Sequence, residues 1–222
     1  VAQMLLAYEV NPSFMGQYTN AAAHKPELPD YFNELKYELD WMMTMQREDG
    51  ALYHKVSCYN FCGFILPDQE KEEIVISPVS VTATGDFAAA TAMAVRFYQK
   101  YDAEYADRLA AASRRAYEAL QNMNIPGGFK NPEEIVTGEY GDPCDEDERY
   151  WAAAELYKTF GDEKYRRDFE ERAAGKIYHG YGWGAMGSYG NLAYITTSNP
   201  VSEELKEKIK ASMIDLGRHK LE

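Results

Sequence analysis

Three consecutive side chains that can donate, accept or stack, Tyr53, His54 and Lys55, follow directly on a helical pattern that stops at Gly50. They therefore stand at the start of a loop and outside an apolar helix face. A neutral imidazole offers one hydrogen-bond donor and one acceptor, which suits a vicinal diol. The alternative for His54 is a structural histidine that ties the loop to a helix end. Tyr53 and Lys55 are weaker candidates, because the stems of such side chains also pack.

Trp183 is the second candidate, since it stands in the glycine-rich stretch GYGWGAMGSYG (180–190). Glycines leave an indole ring little lateral packing, and an exposed ring can stack on the flat face of a pyranose. The alternative is a core tryptophan packed closely between helices that the glycines let approach. Trp41 and Trp151 occupy helix interiors, so both are predicted to be core residues.

The overall charge excludes one class of partner. The chain has 36 acidic and 23 basic residues and a net charge of −13, which would repel a phosphate backbone and argues against nucleic-acid binding. We also expect no membrane partner, because no apolar run approaches the ~18 residues that a span requires. Three cysteines are too few for a disulfide scaffold.

The hydrophobic periodicity predicts an all-α protein. Helices are expected at about 30–48, 84–100, 103–123, 147–161, 162–174 and 202–219, after a first helix that ends near residue 9. Asp30 and Ser202 are expected to cap helix N-termini, and Gly161 to end a helix. One strand is expected at 73–77. Long loops at 10–29, 50–83 and 124–146 are the segments in which function is expected.

Three segments, in this order, resemble the catalytic domain of the family 9 glycoside hydrolases: DWMMTMQREDGALYHKV (40–56), SVTATGDFAAATAMAVRFY (80–98) and TGEYGDPCDEDERYWAAAELY (137–157). Most members of that family are endoglucanases that cut cellulose-type β-1,4-glucans, and the likeness is to the branch with an N-terminal immunoglobulin-like module. The resemblance implies an (α/α)6 barrel with a cleft formed by long loops on one face. Residues 1–222 are then expected to be the central part of a catalytic domain, an internal piece of a longer protein.

The resemblance also implies an inverting mechanism, which needs two carboxylates spaced ~6.5–9.5 Å apart. In the family these are an aspartate in an Asp-Ala-Gly-Asp motif and a glutamate in a late Asn-Glu pair. The chain contains no Asp-Ala-Gly-Asp, and Asn33-Glu34 falls inside a predicted helix. We therefore assign no catalytic residue here and expect the 222-residue chain alone to be inactive.

For binding, the resemblance implies that His54 faces the cleft and hydrogen-bonds glucose hydroxyls, and that Trp183 is a cleft tryptophan. It also implies a structural calcium site, with hard oxygen ligands of the kind that calcium prefers. The candidate ligands are Thr137, Gly138, Asp142, Asp147 and Glu148. Ala185 stands where members of the family often carry a further aspartate. The alternative for Asp147 and Glu148 is a favourable position against the dipole of a helix N-terminus.

Two functional classes remain open from the sequence. One is a β-1,4-glucanase, extracellular by resemblance, whose catalytic pair lies outside this stretch. The other is a non-catalytic carbohydrate-binding or helical interaction module that keeps the cleft loops without the chemistry. Neither the particular β-glucan nor the choice between endo and processive action can be read from the residues.

Overall fold

The computed structural model describes residues 1–15 and 28–221, and this part of the chain is predominantly helical. Its helices are α1 Ala2–Val10, α2 Pro12–Met15, α3 Asp30–Thr44, α4 Val81–Tyr98, α5 Ala103–Asn122, α6 Glu146–Phe160, α7 Glu163–Gly175, α8 Gly187–Thr196 and α9 Glu203–Leu221. Its strands are β1 Leu52–Tyr53, β2 Val56–Cys58, β3 Ile74–Ile76 and β4 Val79–Ser80. The all-α expectation is therefore confirmed, with two small sheets added.

The helices form two layers. In one layer α4 lies beside α1 and α6, and α6 lies beside α8. In the other, α5 packs on α4, α7 on α6 and α9 on α8, so inner and outer helices alternate along the chain. Alanines allow the close approach inside: Ala88, Ala89 and Ala90 are buried in α4, and Ser113 of α5 donates a hydrogen bond to the Ala88 carbonyl at 2.7 Å.

The beginning of α4 is set by contacts across the chain. Ser80 caps it, since its hydroxyl accepts a hydrogen bond from the Ala83 N–H at 3.1 Å. Strand β1 pairs with β4 in antiparallel register, Leu52 opposite Ser80, and the Leu52 N–H donates to the Thr84 hydroxyl at 3.0 Å. The helix thus begins at Val81 rather than near Thr84 as predicted, and the pairing carries the residues after β1 to its N-terminus.

The other predicted boundaries have mixed outcomes. Gly161 ends α6 with φ 74°, and the Ser202 hydroxyl accepts from the Leu205 N–H at 3.3 Å, so both predictions are confirmed. The prediction that Asp30 caps α3 is wrong, because Pro29 holds the cap position and Asp30 is the first helical residue. The strand at 73–77 is confirmed as β3, paired with β2. Most of the loop expected at 10–29 falls outside the described residues.

The two helix tryptophans differ in environment. Trp151 is 2 % exposed in the core of α6, as predicted, whereas Trp41 is 47 % exposed on α3, so its assignment to the core is wrong. The reason is the direction of the side chain. The buried Leu39 lies two positions before Trp41, and two residues of an α-helix correspond to a rotation of about 200°, so Trp41 lies on the face opposite Leu39.

None of the described helices combines the length and the apolar character needed to cross a bilayer.

Candidate functional site

His54 lies just beyond β1 and has protein partners on both ring nitrogens. Nε2 lies 3.0 Å from the Glu139 carbonyl and Nδ1 lies 2.9 Å from the Ser80 hydroxyl. A carbonyl can only accept, so Nε2 carries the proton and Nδ1 accepts from Ser80. The ring also stacks on Phe129, with centroids 3.8 Å apart and planes inclined by 16°. Burial lowers the pKa of His54, which favours this neutral form.

These contacts favour the structural alternative for His54. One imidazole joins the end of β1, the cap of α4 and the loop that carries Glu139, and neither nitrogen is left for another hydroxyl. Its role in sugar binding remains a prediction, and it would require one of these bonds to be exchanged. Tyr53 is half-buried in β1, where its N–H donates to the Met45 carbonyl at 3.1 Å.

Lys55 reaches the same loop from the other side. Its ammonium donates to the Thr137 hydroxyl at 3.1 Å and to the Gly138 carbonyl. Thr137 in turn donates to the Ser57 hydroxyl at 2.9 Å. Burial lowers the pKa of Lys55, because the charged form is partly removed from water.

Two of the five residues proposed to hold calcium therefore already serve a cation, the ammonium of Lys55. A second cation at the Thr137 hydroxyl or the Gly138 carbonyl would be repelled by it. The fit of a metal is thus restricted to the remaining candidates, Asp142, Asp147 and Glu148.

Those three acids lie together near the N-terminus of α6, with a fourth that the sequence reasoning missed. Asp86 of α4 faces them: burial raises the pKa of its carboxyl, and the charges of Asp147 and Asp142 add to that effect. Close approach of α4 and α6 makes this possible, since a Cβ on Gly85 would lie 2.7 Å from the Cβ of Glu148. The available signal was an acid inside the otherwise apolar run of an alanine-rich helix, a pattern associated with perturbed groups.

This carboxylate cluster, Asp86, Asp142, Asp147 and Glu148, is incompletely satisfied. Asp142 accepts from the Cys144 N–H at 2.9 Å, and Asp147 from the Met186 N–H at 2.7 Å. Both oxygens of Glu148, which is 0 % exposed, and one oxygen each of Asp86 and Asp142 are buried with no hydrogen-bond partner. Such groups ordinarily have a partner, so each one requires a physical explanation.

Burial is the main cause of the pKa shifts in the cluster. It raises the pKa of Glu148 to about 10, with the charges of Asp86 and Asp147 adding to the effect. It raises the pKa of Asp86 well above the usual range, again helped by Asp147 and Asp142. Protons or a cation must therefore offset the negative charge.

The donor chemistry of the cluster fits a hard divalent cation, because it consists of carboxylate oxygens. The arrangement is less complete: within 1–15 and 28–221, no three His, Cys, Asp or Glu side chains are grouped so that they could hold a metal ion. Ala185, at the position where members of the family often carry a further aspartate, has no side-chain oxygen to offer a metal. Side chains would have to rotate to bind a metal here.

Trp183 stands on a turn beside this cluster. A bridge between Gly182 and Ala185 closes the turn, and a Cβ on Gly184 would lie 3.3 Å from the Asp142 carboxylate. The indole is 68 % exposed, so the core alternative for Trp183 is excluded. Sugar binding by this ring remains a prediction.

A separate groove of about 560 Å³ lies between α1 and the α8 region. Its lining consists of Gln3, Leu6, Ala7, Val10, Asn11, Tyr181 and Tyr189. None of the residues singled out from the sequence lines it. The five candidate calcium ligands lie instead in the segment from Phe129 to Glu148, and His54 and Lys55 bond to that segment.

Comparisons with known proteins bear on the whole chain. The profile of glycosyl hydrolase family 9 matches residues 1–216. Endoglucanase D of Acetivibrio thermocellus is 42 % identical over 224 residues, covering 96 % of this chain and 35 % of that protein. A xyloglucan-specific endo-beta-1,4-glucanase of Bacteroides ovatus is 36 % identical and covers 91 % of this chain and 35 % of its own length. The chain thus spans about a third of these relatives.

Solved structures agree on the fold. A thermostable endoglucanase from Alicyclobacillus acidocaldarius matches with a TM-score of 0.89 at 32 % identity, over 96 % of this chain and 41 % of that one. An endoglucanase of the termite Nasutitermes takasagoensis, at 18 % identity and a TM-score of 0.72, shares the fold. The two layers of alternating helices are accordingly part of an (α/α)6 barrel, as expected. The chain belongs to glycosyl hydrolase family 9.

Proposed function

We propose that this chain is part of the catalytic domain of an enzyme that hydrolyses internal β-1,4-glucosidic bonds of cellulose-type glucans. The observation that carries the proposal is the family match over residues 1–216, supported by relatives named as endoglucanases. A solved relative bound to a cellobiose-like isofagomine, 32 % identical with a TM-score of 0.90, supports a β-glucan as the ligand class. A polymeric substrate also favours an extracellular location.

The proposed chemistry is inverting hydrolysis by a carboxylic acid and a carboxylate base on opposite faces of the sugar. We place that pair outside this chain. Two acids of the carboxylate cluster are unsuited to the task, because Glu148 is 0 % exposed and Asp147 is 5 % exposed. A residue that no substrate can reach cannot transfer a proton to it. What the chain contributes is one wall of the cleft and the framework that holds it.

The test is a comparison of two proteins on the same soluble β-glucan. The 222-residue chain should release no reducing sugar, whereas a protein extended on both sides through an Asp-Ala-Gly-Asp and an Asn-Glu should hydrolyse the glucan. Removal of a general acid or base costs ~10²–10⁴-fold in rate. Hydrolysis by the chain alone at rates typical of glucanases would contradict the proposal. An inactive extended protein that still binds oligosaccharide would favour the non-catalytic binding module.

A structural calcium ion is the proposed cofactor of the carboxylate cluster, with Asp142, Asp147 and Glu148 as ligands and Asp86 beside them. The support is the set of buried carboxylate oxygens that lack a partner. A bound divalent cation would neutralise their charge and so favour the folded state by mass action. Thr137 and Gly138 are left out, because Lys55 occupies them.

Calcium should raise the melting temperature of the parent. Magnesium should do so less, because it requires a near-ideal octahedron of ligands, and zinc should do so less, because it prefers nitrogen and sulfur ligands to hard oxygens. The double variant Asp147→Ala, Glu148→Ala should lose the response. A matched control is Glu146→Ala, which removes an exposed acid from the same helix turn. If calcium does not raise the melting temperature of the parent, the cluster binds no calcium and the calcium proposal is wrong.

A further inference from the structure

Buried polar atoms that lack a hydrogen-bond partner are concentrated in two places of the described chain. Four of them are oxygens of the carboxylate cluster. Three others belong to Asn33 and Asp40 of α3 and to Tyr105 of α5. Buried polar atoms ordinarily have a partner, so this second set also requires a physical explanation.

A groove of about 510 Å³ runs along one face of α3. Its lining consists of Asn33, Lys36, Tyr37, Asp40, Trp41 and Thr44. These positions recur at intervals of three and four and therefore share one side of the helix, whereas Leu35 and Leu39 are buried on the other side. None of the residues that the sequence singled out for binding lines this groove. Two of the three unpartnered atoms thus belong to residues of one surface groove.

Asn33 provides a fixed and unused acceptor at the N-terminal end of the groove. It is 5 % exposed, and its Nδ2 donates a hydrogen bond to the Leu28 carbonyl at 3.1 Å. That bond identifies Oδ1 as the free atom of the amide, and Oδ1 has no partner within residues 1–15 and 28–221. An amide oxygen can only accept, so the group that is missing here is a donor.

Asp40 provides a second acceptor, seven residues further along the helix. Its Oδ2 accepts from the Lys36 ammonium at 2.6 Å, while its Oδ1 is buried without a partner in the part of the chain that the structure describes. Burial and then the charge of Asp40 raise the pKa of Tyr105, so this phenol faces the same carboxylate. Seven helical residues correspond to about 10 Å, a distance that two linked pyranose units span.

The charges and rings of the groove define the kind of ligand. Lys36 and Asp40 neutralise each other, and Nζ of Lys36 lies 3.9 Å from the centre of the Tyr105 ring, so neither an anion nor a cation is favoured. Tyr37 is 77 % exposed and Trp41 is 47 % exposed, and their spacing of four places the two rings side by side. A neutral, extended ligand with hydroxyl donors and apolar faces meets these conditions.

We propose that this groove of α3 binds a segment of β-glucan, with hydroxyls of successive sugar units donating to Oδ1 of Asn33 and Oδ1 of Asp40. The choice of a β-glucan rests on the proposed function, because the acceptors themselves require only hydroxyl donors. The assignment explains the unpartnered atoms, since a sugar hydroxyl beside Asp40 can also bond the Tyr105 phenol. It also gives a reason for the exposure of Trp41.

The experiment is calorimetric titration of the full chain with cellohexaose, paired with thermal melts. Asp40→Ala should weaken binding tenfold or more, roughly the scale of one lost hydrogen bond to a charged group. The double variant Tyr37→Ala, Trp41→Ala should weaken it by about tenfold or more while the protein stays folded, because both rings are exposed. The matched control is Glu38→Ala, which removes an exposed acid of the same helix outside the groove and should keep parental affinity.

Trp183→Ala separates this groove from the loop of Trp183. If both places bind, the parent takes up two molecules of cellohexaose, the groove variants weaken one binding event and Trp183→Ala weakens the other. If the groove alone binds, Trp183→Ala leaves the titration unchanged and the groove variants remove it. Either result supports the assignment to α3.

Three results would overturn the inference. The first is binding by the parent that neither Asp40→Ala nor the double variant weakens, and the second is a parent that binds no cellohexaose. The third is a loss of affinity with a strongly lowered melting temperature in both groove variants, because the groove residues would then be structural. Failure of the proposed function appears elsewhere, as an extended protein that does not hydrolyse a soluble β-glucan.

Discussion

The segment from Gly138 to Glu148 is held in opposite ways at its two ends. Near Gly138 and Glu139, backbone carbonyls meet a donor imidazole and an ammonium, and both ring nitrogens of His54 have partners. Near Asp142 and Glu148, carboxylates face other carboxylates, and four of their buried oxygens have no hydrogen-bond partner.

The difference shows which end is complete without a ligand. Buried polar groups with matched donors and acceptors rigidify a structure and require nothing further. Buried groups of like charge must instead be neutralised by protons or by a cation. His54 and Lys55, the first candidates from the sequence, belong to the complete end. The incomplete end was recognised only in part from the sequence.

Substitution at the incomplete end should have the largest effect. Glu148→Gln in a cation-free buffer should stabilise the chain, because glutamine imitates the protonated acid. The pKa of Glu148 is raised to about 10 in the folded chain, so the folded state holds a proton that the unfolded state releases above its ordinary pKa. Stability must then fall as the pH rises from the ordinary value toward the raised one. We expect a gain of ~2–4 kcal/mol at pH 8 that shrinks toward pH 4–5.

Denaturant titrations at several pH values measure this gain. The control is Glu146→Gln, which alters an exposed acid two positions earlier that pairs with Arg172 at 2.7 Å and should change stability by less than ~1 kcal/mol. A Glu148→Gln protein no more stable than the parent at pH 8 would mean that the cluster is already neutralised in another way.

The complete end should respond in the opposite direction. Lys55→Met should destabilise by ~1–3 kcal/mol, because it leaves the buried Thr137 and the Gly138 carbonyl without their donor. Equilibrium unfolding in urea would measure it. Lys130→Met is the control. Lys130 forms a salt bridge with the Glu139 carboxylate of the same loop, but its side chain is 73 % exposed. Equal effects of the two variants would mean that Lys55 is no more than a surface contact.

His54→Gln should cost about 1 kcal/mol at pH 8, from the lost stacking and hydrogen bonds. Because burial lowers the pKa of His54 in the folded chain, protonation of the unfolded chain below its ordinary value of about 6.5 weakens the fold. The advantage of the parent over the variant should therefore shrink as the pH falls from 8 to 5.

The exposed His219, replaced by Gln, supplies the control for that pH series. The same proteins titrated with cellohexaose test the predicted sugar contact of His54. Affinity lost with stability unchanged would establish the sugar contact and refute the structural role.

Trp183→Ala should have the smallest effect on stability, within ~0.5 kcal/mol, because its ring is 68 % exposed. Its effect should appear in binding, with a larger loss for cellohexaose than for cellotriose, on the scale of ~1–3 kcal/mol for a stacking contact. Calorimetric titration measures the loss of oligosaccharide affinity, and a denaturant melt of the same protein measures the change in stability. Equal losses for both sugars would count against a stacking subsite.

Local patterns sufficed for much of the fold. Helical periodicity located the long helices, Gly161 ended α6 with a left-handed backbone, and Ser202 capped α9. Each of these features depends on residues within a turn or two of one another, so the sequence carries the relevant physics directly.

Contacts between distant residues were decided by the tertiary structure. The partner of Lys55 lies 83 positions away at Gly138, and the hydrogen bond from Leu52 to Thr84 spans 32. Asp86 joined the acids of α6 only because Gly85 lets two helices touch. Residue types and spacing determined that this chain is helical and acidic, and three sequence segments carried its resemblance to glycosyl hydrolase family 9. Which polar groups are satisfied and which are left without partners was decided by tertiary packing, because satisfaction depends on distances that no local pattern encodes.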